Sequence, residues 1–546
     1  MTGVIGPLAE EIGLLIDGGD HRSMGGEVYA RMIPLGGKDR PPPPAWVMWL
    51  ASRIAPPLRR RARAARAFLG SGAGQDFLER WHTEWRDAFQ SEADQFKTVD
   101  LTSVDDEALV GHLDRLQDLL ARGQDAHFHL HAPYVVALHE LTRTCRDLLG
   151  WEPQQALCLL SGTSRASSEP GRQLAALASR ISDDRAAIEA LEELDDGFLD
   201  RLRQASPAAG EAFDAYLDRY GHRTISYDPG DPTLFERPAV FAGLLRDRVR
   251  DRLGAGADGP VSTGDQTGAD VLARARAALA ERSEADRRRF ETVLDRALRA
   301  YGPREDNIFF LDNQPCALLR YTALEMGRRL ADRGALATPA DAVYLTEPEL
   351  RQALTGPAPE ELRALVSRRK AERAWVLAHP GPATYGPEPG PPPDMSALPR
   401  ALRVVNTALV EFQQRLFAPG TKPATDPTHL AGVPASPGTY SGPARIVRGE
   451  AEFTRLRPGD VLVCPTTSPP WSVLFLHAGA VVTDAGGVLS HTAVIAREYG
   501  IPAVLATGDA TRRIHDGDVV NVDGTNGTVI IGEPRRADAS PSLGRG

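Results

Sequence analysis

Asp484-Ala485-Gly486-Gly487-Val488-Leu489-Ser490-His491-Thr492-Ala493-Val494-Ile495-Ala496-Arg497-Glu498-Tyr499-Gly500-Ile501-Pro502-Ala503 is the stretch on which the reading of this chain turns. The apolar run 478–482 before it reads as a buried strand, and Gly486-Gly487 permits a tight turn. Ser490 is a good N-cap for the helical pattern Ala493, Ile495, Ala496, Tyr499, and Gly500-Ile501-Pro502 ends the helix. His491 therefore falls in the first helical turn. Free backbone N–H groups and the positive end of the helix dipole stabilise an anion there, and a neutral imidazole is nucleophilic near neutral pH. These properties suit a histidine that carries a phosphoryl group. Gly486, Gly487, Ser490 and Thr492 are the expected phosphate-stabilising residues, with helix capping as the plain alternative for the two hydroxyls. Arg497 is assigned equally to a structural salt bridge.

Around this segment the texture is that of a small β-rich domain. Runs at 444–447, 461–464, 480–483, 504–506, 519–522 and 528–531 alternate with Gly, Pro and Asp turns. Residues 1 to about 375 instead show helical periodicity, at 105–124, 171–194, 267–301 and 317–334, with sparse strand signals. The Pro-rich stretch 379–399 reads as a loop and is followed by a helix near 402–416. The expected organisation is multidomain, α and α/β. A large all-helical domain spans 1–417, a flexible linker 418–432, a compact β/β/α domain 433–534 and a disordered tail 535–546.

The 546 residues carry 63 Lys plus Arg against 73 Asp plus Glu, a net charge of −10 that gives no reason to expect nucleic acid as partner. Arg59-Arg60-Arg61-Ala62-Arg63-Ala64-Ala65-Arg66 is a local exception, read as a solvated helix face with contact to an acidic partner as the alternative. Cys145, Cys158, Cys316 and Cys464 are widely spaced, suggesting neither a disulfide framework nor a zinc site. No signal-peptide pattern or long apolar run appears, so a cytoplasmic location without a membrane partner is expected. His127-Phe128-His129-Leu130-His131 places two histidines at i, i+4, but lacks the glutamate of a zinc-binding HExxH motif and meets Pro133. Pocket lining or core packing is the expected role, and no metal site is assigned. His477 and His515 fall in strand and turn contexts that assign them no chemistry.

The C-terminal segment closely resembles the swivelling phosphohistidine domain of the phosphoenolpyruvate-utilising enzyme superfamily. The resemblance rests on Ala435-Ser436-Pro437-Gly438, Ser441-Gly442-Pro443-Ala444-Arg445, Pro458-Gly459-Asp460-Val461-Leu462, Thr483-Asp484, Asp516-Gly517-Asp518 and Val522-Asp523-Gly524, besides the His491 segment. It implies that His491 takes phosphate from a nucleotide or phosphoenolpyruvate and passes it to an acceptor. The helical part resembles the acceptor-binding domain of the rifampicin phosphotransferase branch. Tyr220-Gly221-His222-Arg223, Glu236-Arg237-Pro238, Arg304-Glu305-Asp306-Asn307, Met326-Gly327-Arg328-Arg329-Leu330 and Asp341-Ala342-Val343-Tyr344-Leu345-Thr346 carry that likeness.

Relatives of this kind begin with an ATP-grasp domain, and the sequence starts about where that domain ends. It contains no GxxxxGK[ST] loop and has no room for a pyruvate-binding barrel of about 250 residues. The resemblance thus implies a phosphotransferase subunit. ATP and Mg²⁺ are expected on a separate ATP-grasp protein, and the acceptor is a small hydroxylated molecule held by the helical domain. Transfer to a hydroxyl calls for cations and a base, for which Arg304, Glu305, His222 and Arg223 are the candidates. A buried Arg304–Glu305 ion pair is the structural alternative. In the rifampicin branch a lysine stands four residues after the arginine like Arg304; here that residue is Ile308, which argues against rifampicin itself. The competing functional reading is a noncatalytic ligand sensor with a phosphorylatable or relic His491. A subunit of a phosphoenolpyruvate-forming system is a third and leaves the helical domain unexplained.

Overall fold

The structure, a computed structural model, describes residues 2–24, 27–37, 44–163, 165–195, 197–224, 228–255, 264–358, 360–379, 381, 385–386, 394–417, 426 and 428–532. Contacts between Cα atoms divide the chain into two units. The first comprises 1–140, 222–232 and 299–411, and the second comprises 141–221, 233–298 and 412–546. The helices Asp106–Leu149, Glu284–Ile308 and Arg400–Leu416 contribute residues to both.

The first unit is helical apart from one antiparallel hairpin, β1 (Ile16–Met24) with β2 (Glu27–Pro34). The hairpin departs from the all-helical expectation because its strands are polar and glycine-bearing and give no alternating signal. A core forms around Leu109 and Leu113 from the helix Asp106–Leu149, Met326 and Leu330 from Gln314–Asp332, and Leu350 and Leu354 from Glu347–Thr355. Gly327 allows the close approach of the next segment, since a Cβ there would lie 2.1 Å from the Pro339 carbonyl oxygen. Arg329 ties the core to the start of the long helix through Asp106 at 2.9 Å and the Leu101 carbonyl at 2.8 Å.

Asp106–Leu149 runs unbroken through Pro133, well beyond the helical pattern expected at 105–124. One proline removes one helical hydrogen bond, and burial of Leu130, Tyr134, Leu138 and Leu141 holds the remaining turns. Two expected helices are each split. Asp184 caps a new helix by accepting from Ala187 N at 3.1 Å, and Ser283 does the same for Asp286 N at 3.1 Å. Of the Arg-rich stretch, Arg61 is buried beside Glu10 and Asp17, at 3.7 and 3.8 Å, while Arg59, Arg60, Arg63 and Arg66 are exposed.

In the second unit an eight-stranded mixed sheet joins the helices Arg165–Ile181, Pro207–Tyr220, Pro238–Ala255 and Gly264–Leu279. Its strands are β3 (His429–Ala431), β4 (Val433–Ser436), β5 (Thr439–Ile446), β6 (Asp460–Cys464), β7 (Ala478–Thr483), β8 (Ala503–Leu505), β9 (Val519–Asp523) and β10 (Thr528–Ile531). Their order is β3-β10-β9-β5-β6-β7-β8-β4, with β5 to β8 parallel and the flanking pairs antiparallel. Val461, Val463, Ala480, Val482 and Val504 form its centre, as expected for strands buried on both faces. All six strands read from the sequence are present. β3 falls within the stretch expected to be linker, so the sheet begins at His429; residues 418–425 and 427 of that stretch and the tail 533–546 lie outside the described residues. The described residues of 379–399 contain neither helix nor strand. No helix among the described residues is long and apolar enough to cross a membrane.

Candidate functional site

Strand β7 delivers the chain to Asp484, whose carboxylate accepts from the Thr511 amide at 2.9 Å, and whose carbonyl accepts from Gly508 N at 2.9 Å. Gly486 then takes φ +122°, a conformation open to glycine and costly to side-chain-bearing residues. Gly487 is required for a different reason: a Cβ there would lie 1.9 Å from the Arg415 carbonyl oxygen. Leu489 N–H donates to the same carbonyl at 3.2 Å, fixing the loop on the end of the helix Arg400–Leu416.

Ser490 is the N-cap of the helix His491–Tyr499, with its hydroxyl accepting from Ala493 N, and Gly500 closes the helix in the left-handed conformation at φ 65°. His491 is the first helical residue and is half-buried. Its position at the positive end of the helix suits it to hold a bound anion. The other expected phosphate ligands have structural duties. Thr492 is 1% exposed and its hydroxyl lies 2.7 Å from that of Thr467. Arg497 makes no salt bridge of the kind anticipated for it. Its buried guanidinium donates to the carbonyls of Ala435 at 2.8 Å and Val488 at 2.9 Å, holding the loop against β4.

The acceptor candidates Arg304, Glu305, His222 and Arg223 are all buried and belong to the first unit. Arg304 and Glu305 pair with each other, and the Arg304 guanidinium sits 5.4 Å from the centre of the Tyr134 ring. His222 Nδ1 is 3.1 Å from the Tyr321 hydroxyl, and Arg223 stacks over Phe309 at 4.3 Å. Phe309–Asn313 is a turn of π-helix, a local widening common at functional sites. Near Arg304, on the helix Asp106–Leu149, are His127 and His131, whose rings are 4.3 Å apart.

His127 is a residue whose potential the sequence reading did not reach. Asn307 donates both amide hydrogens to the carbonyls of Pro303 and Arg304, each at 2.8 Å, so its oxygen faces His127 Nδ1. Nδ1 must then carry the hydrogen, leaving the Nε2 lone pair to accept a proton. Burial, with the nearby Arg304 charge, lowers the His127 pKa to about 4, and burial lowers that of His131 well below its usual value, so both are neutral at pH 7. The signal for this role is the partnership with Asn307, 180 residues away. His477 is buried, with its pKa lowered to about 4 by burial and then by Arg248, and His515 is exposed near Asp518. Among the described residues, no cluster of three or more His, Cys, Asp or Glu side chains is arranged to hold a metal ion.

A capped histidine at a helix start beside a parallel sheet defines a candidate phosphoryl-carrier domain. Comparison with known proteins gives family matches for two parts of the chain. Residues 456–527 match the mobile domain of PEP-utilising enzymes, and residues 129–305 match the fourth domain of rifampicin phosphotransferase. The rifampicin phosphotransferase of Streptomyces sviceus is 32% identical over 382 residues, which is 68% of this chain and 40% of that protein. The phosphoenolpyruvate synthase of Aeropyrum pernix is 46% identical over 121 residues, covering 21% of this chain and 15% of that protein. An uncharacterised phosphotransferase of Bacillus subtilis, YvkC, is 36% identical over 245 residues, 45% of this chain and 27% of that protein. The chain thus spans well under half the length of these relatives. These matches put it with the phosphoenolpyruvate-utilising superfamily, near the rifampicin phosphotransferase branch.

Proposed function

We propose that this chain is a phosphotransferase subunit in which His491 carries a phosphoryl group from a separate ATP-grasp protein to a hydroxyl of a small molecule bound by the helical unit. The observation that carries the reading is His491 at the first position of a capped helix, where a phosphoryl group on its ring meets the positive helix end. In the first step an imidazole nitrogen attacks phosphorus and the nucleotide oxygen leaves with the bonding pair. In the second the acceptor oxygen attacks phosphorus, the N–P bond breaks toward the imidazole, and the hydroxyl proton passes to a base. ATP and Mg²⁺ belong to the partner in this scheme, the Mg²⁺ offsetting the charge of the transferring phosphate.

Arg304 and Arg223 supply positive charge in the helical unit, and His127 Nε2 and Glu305 supply proton acceptors. The product is either an inactivated antibiotic or an activated intermediate of biosynthesis. Intact-mass analysis at neutral to alkaline pH, with ATP, Mg²⁺ and a co-encoded ATP-grasp protein, tests the scheme. The expected result is a partner-dependent, acid-labile gain of one phosphoryl group. No gain with any such partner leaves a ligand-sensing or relic domain as the reading.

A further inference from the structure

The helix that bears His491 is held at its far end by two close contacts with the helical part of its own unit. Glu498, buried, accepts from the backbone amide of Gly162 at 3.1 Å. Tyr499, also buried, lies over Gly171 in the helix Arg165–Ile181, where a Cβ would fall 1.9 Å from the Tyr499 hydroxyl oxygen and 2.9 Å from Cζ. At the near end Gly487 and Leu489 rest on the Arg415 carbonyl. Both ends therefore depend on the absence of a side chain at one residue. A nine-residue helix spans about 13 Å and moves as a rigid rod, so a shift at Tyr499 is transmitted to His491.

We propose that Gly162 and Gly171 form a seat for Glu498 and Tyr499, and that this seat positions His491. The proposal rests on the carrier role given to His491 above. Gly171, Gly162, Glu498 and Tyr499 are positioning residues, since none of them touches the reacting nitrogen. Replacing a glycine by alanine inside a helix ordinarily stabilises it. At Gly171 the added methyl meets an aromatic side chain packed in place, so the effect is reversed.

The test uses the full chain and three variants, Gly171→Ala, Gly171→Ala with Tyr499→Phe, and Glu498→Ala. Amide hydrogen exchange is followed over 491–499 and 165–181, with β6 and β7 as internal reference. Reaction of His491 with potassium phosphoramidate, a small donor that needs no partner, is followed by mass spectrometry. Gly171→Ala should raise exchange in the two helices by about tenfold while the sheet stays protected, and should change the phosphoramidate rate severalfold. Removing the hydroxyl in the double variant takes away the 1.9 Å contact and leaves the ring carbon at 2.9 Å, so both should recover in part. Wild-type protection in Gly171→Ala, or a double variant that recovers no protection at all, overturns the seat. Should Gly171→Ala not fold, Glu498→Ala, which removes the acceptor of the Gly162 amide, decides, with faster exchange confined to the same helices expected and unchanged exchange contradicting. If the exchange pattern holds but His491 is never loaded from ATP with a partner, the carrier reading fails and the seat stands.

Discussion

The hydroxyls of Thr467 and Thr492 lie 2.7 Å apart in a buried pocket under the first turn of the His491 helix. One hydroxyl donates and the other accepts, so Thr492 serves as an anchor for that turn. Thr492→Val leaves Thr467 without its partner and should cost about 1–3 kcal/mol in denaturant unfolding. The double variant Thr467→Val/Thr492→Val removes both groups and should recover most of that loss. If the double variant is as unstable as the single, the pair is not the source of the effect.

Gly487→Ala drives a methyl into the Arg415 carbonyl oxygen, a backbone atom that no rotamer change can move. A destabilisation of about 1–3 kcal/mol is expected, visible as a lowered Tm. Gly449, with open space around it and ordinary extended backbone, is the control position where alanine should be near neutral.

The buried Arg304–Glu305 pair separates structure from chemistry. Arg304→Ala strands a buried carboxylate and should cost about 3–5 kcal/mol. Arg304→Met with Glu305→Leu should return much of the stability. If the pair serves only to join helices, acceptor phosphorylation returns with it. If Arg304 or Glu305 acts in the transfer itself, turnover stays lost in the refolded double variant.

His477 links stability to pH. Its folded pKa is about 4, below the 6.5 of an unfolded histidine, because burial disfavours the charged ring. The unfolded chain therefore binds the proton first, and the stabilising contribution present above pH 6.5 is lost as the pH falls toward 4. The loss is on the order of 3 kcal/mol for one such buried group. His477→Met should flatten the stability profile between pH 6.5 and 4. An unchanged profile contradicts the assignment. His127, with its pKa also lowered to about 4, contributes in the same direction.

What the sequence discloses here is what local chemistry determines. Gly486, Ser490 and Gly500 specify turn, cap and helix end through their own conformational preferences, and the six apolar runs of the sheet announce themselves by composition. The resemblance motif around Met326-Gly327-Arg328-Arg329-Leu330 is legible for the same reason, since its residues form core, close approach and helix tie. Partnerships between distant positions are not legible. Gly487 with Arg415, Gly171 with Tyr499, and His127 with Asn307 each join residues that no spacing rule connects. The β1–β2 hairpin escaped because polar strands carry no periodic signal, and β3 because three residues are too few to show one.

The most direct test of the carrier claim is to locate the phosphoryl group. The chain, loaded with ATP, Mg²⁺ and its ATP-grasp partner, is digested at alkaline pH and sequenced by tandem mass spectrometry beside His491→Ala. A phosphoryl group on His491 is expected in the wild-type chain and none on the variant, whose fold and Tm should be nearly unchanged. Full loading of His491→Ala, or a phosphoryl group on any other residue of the wild type, contradicts it.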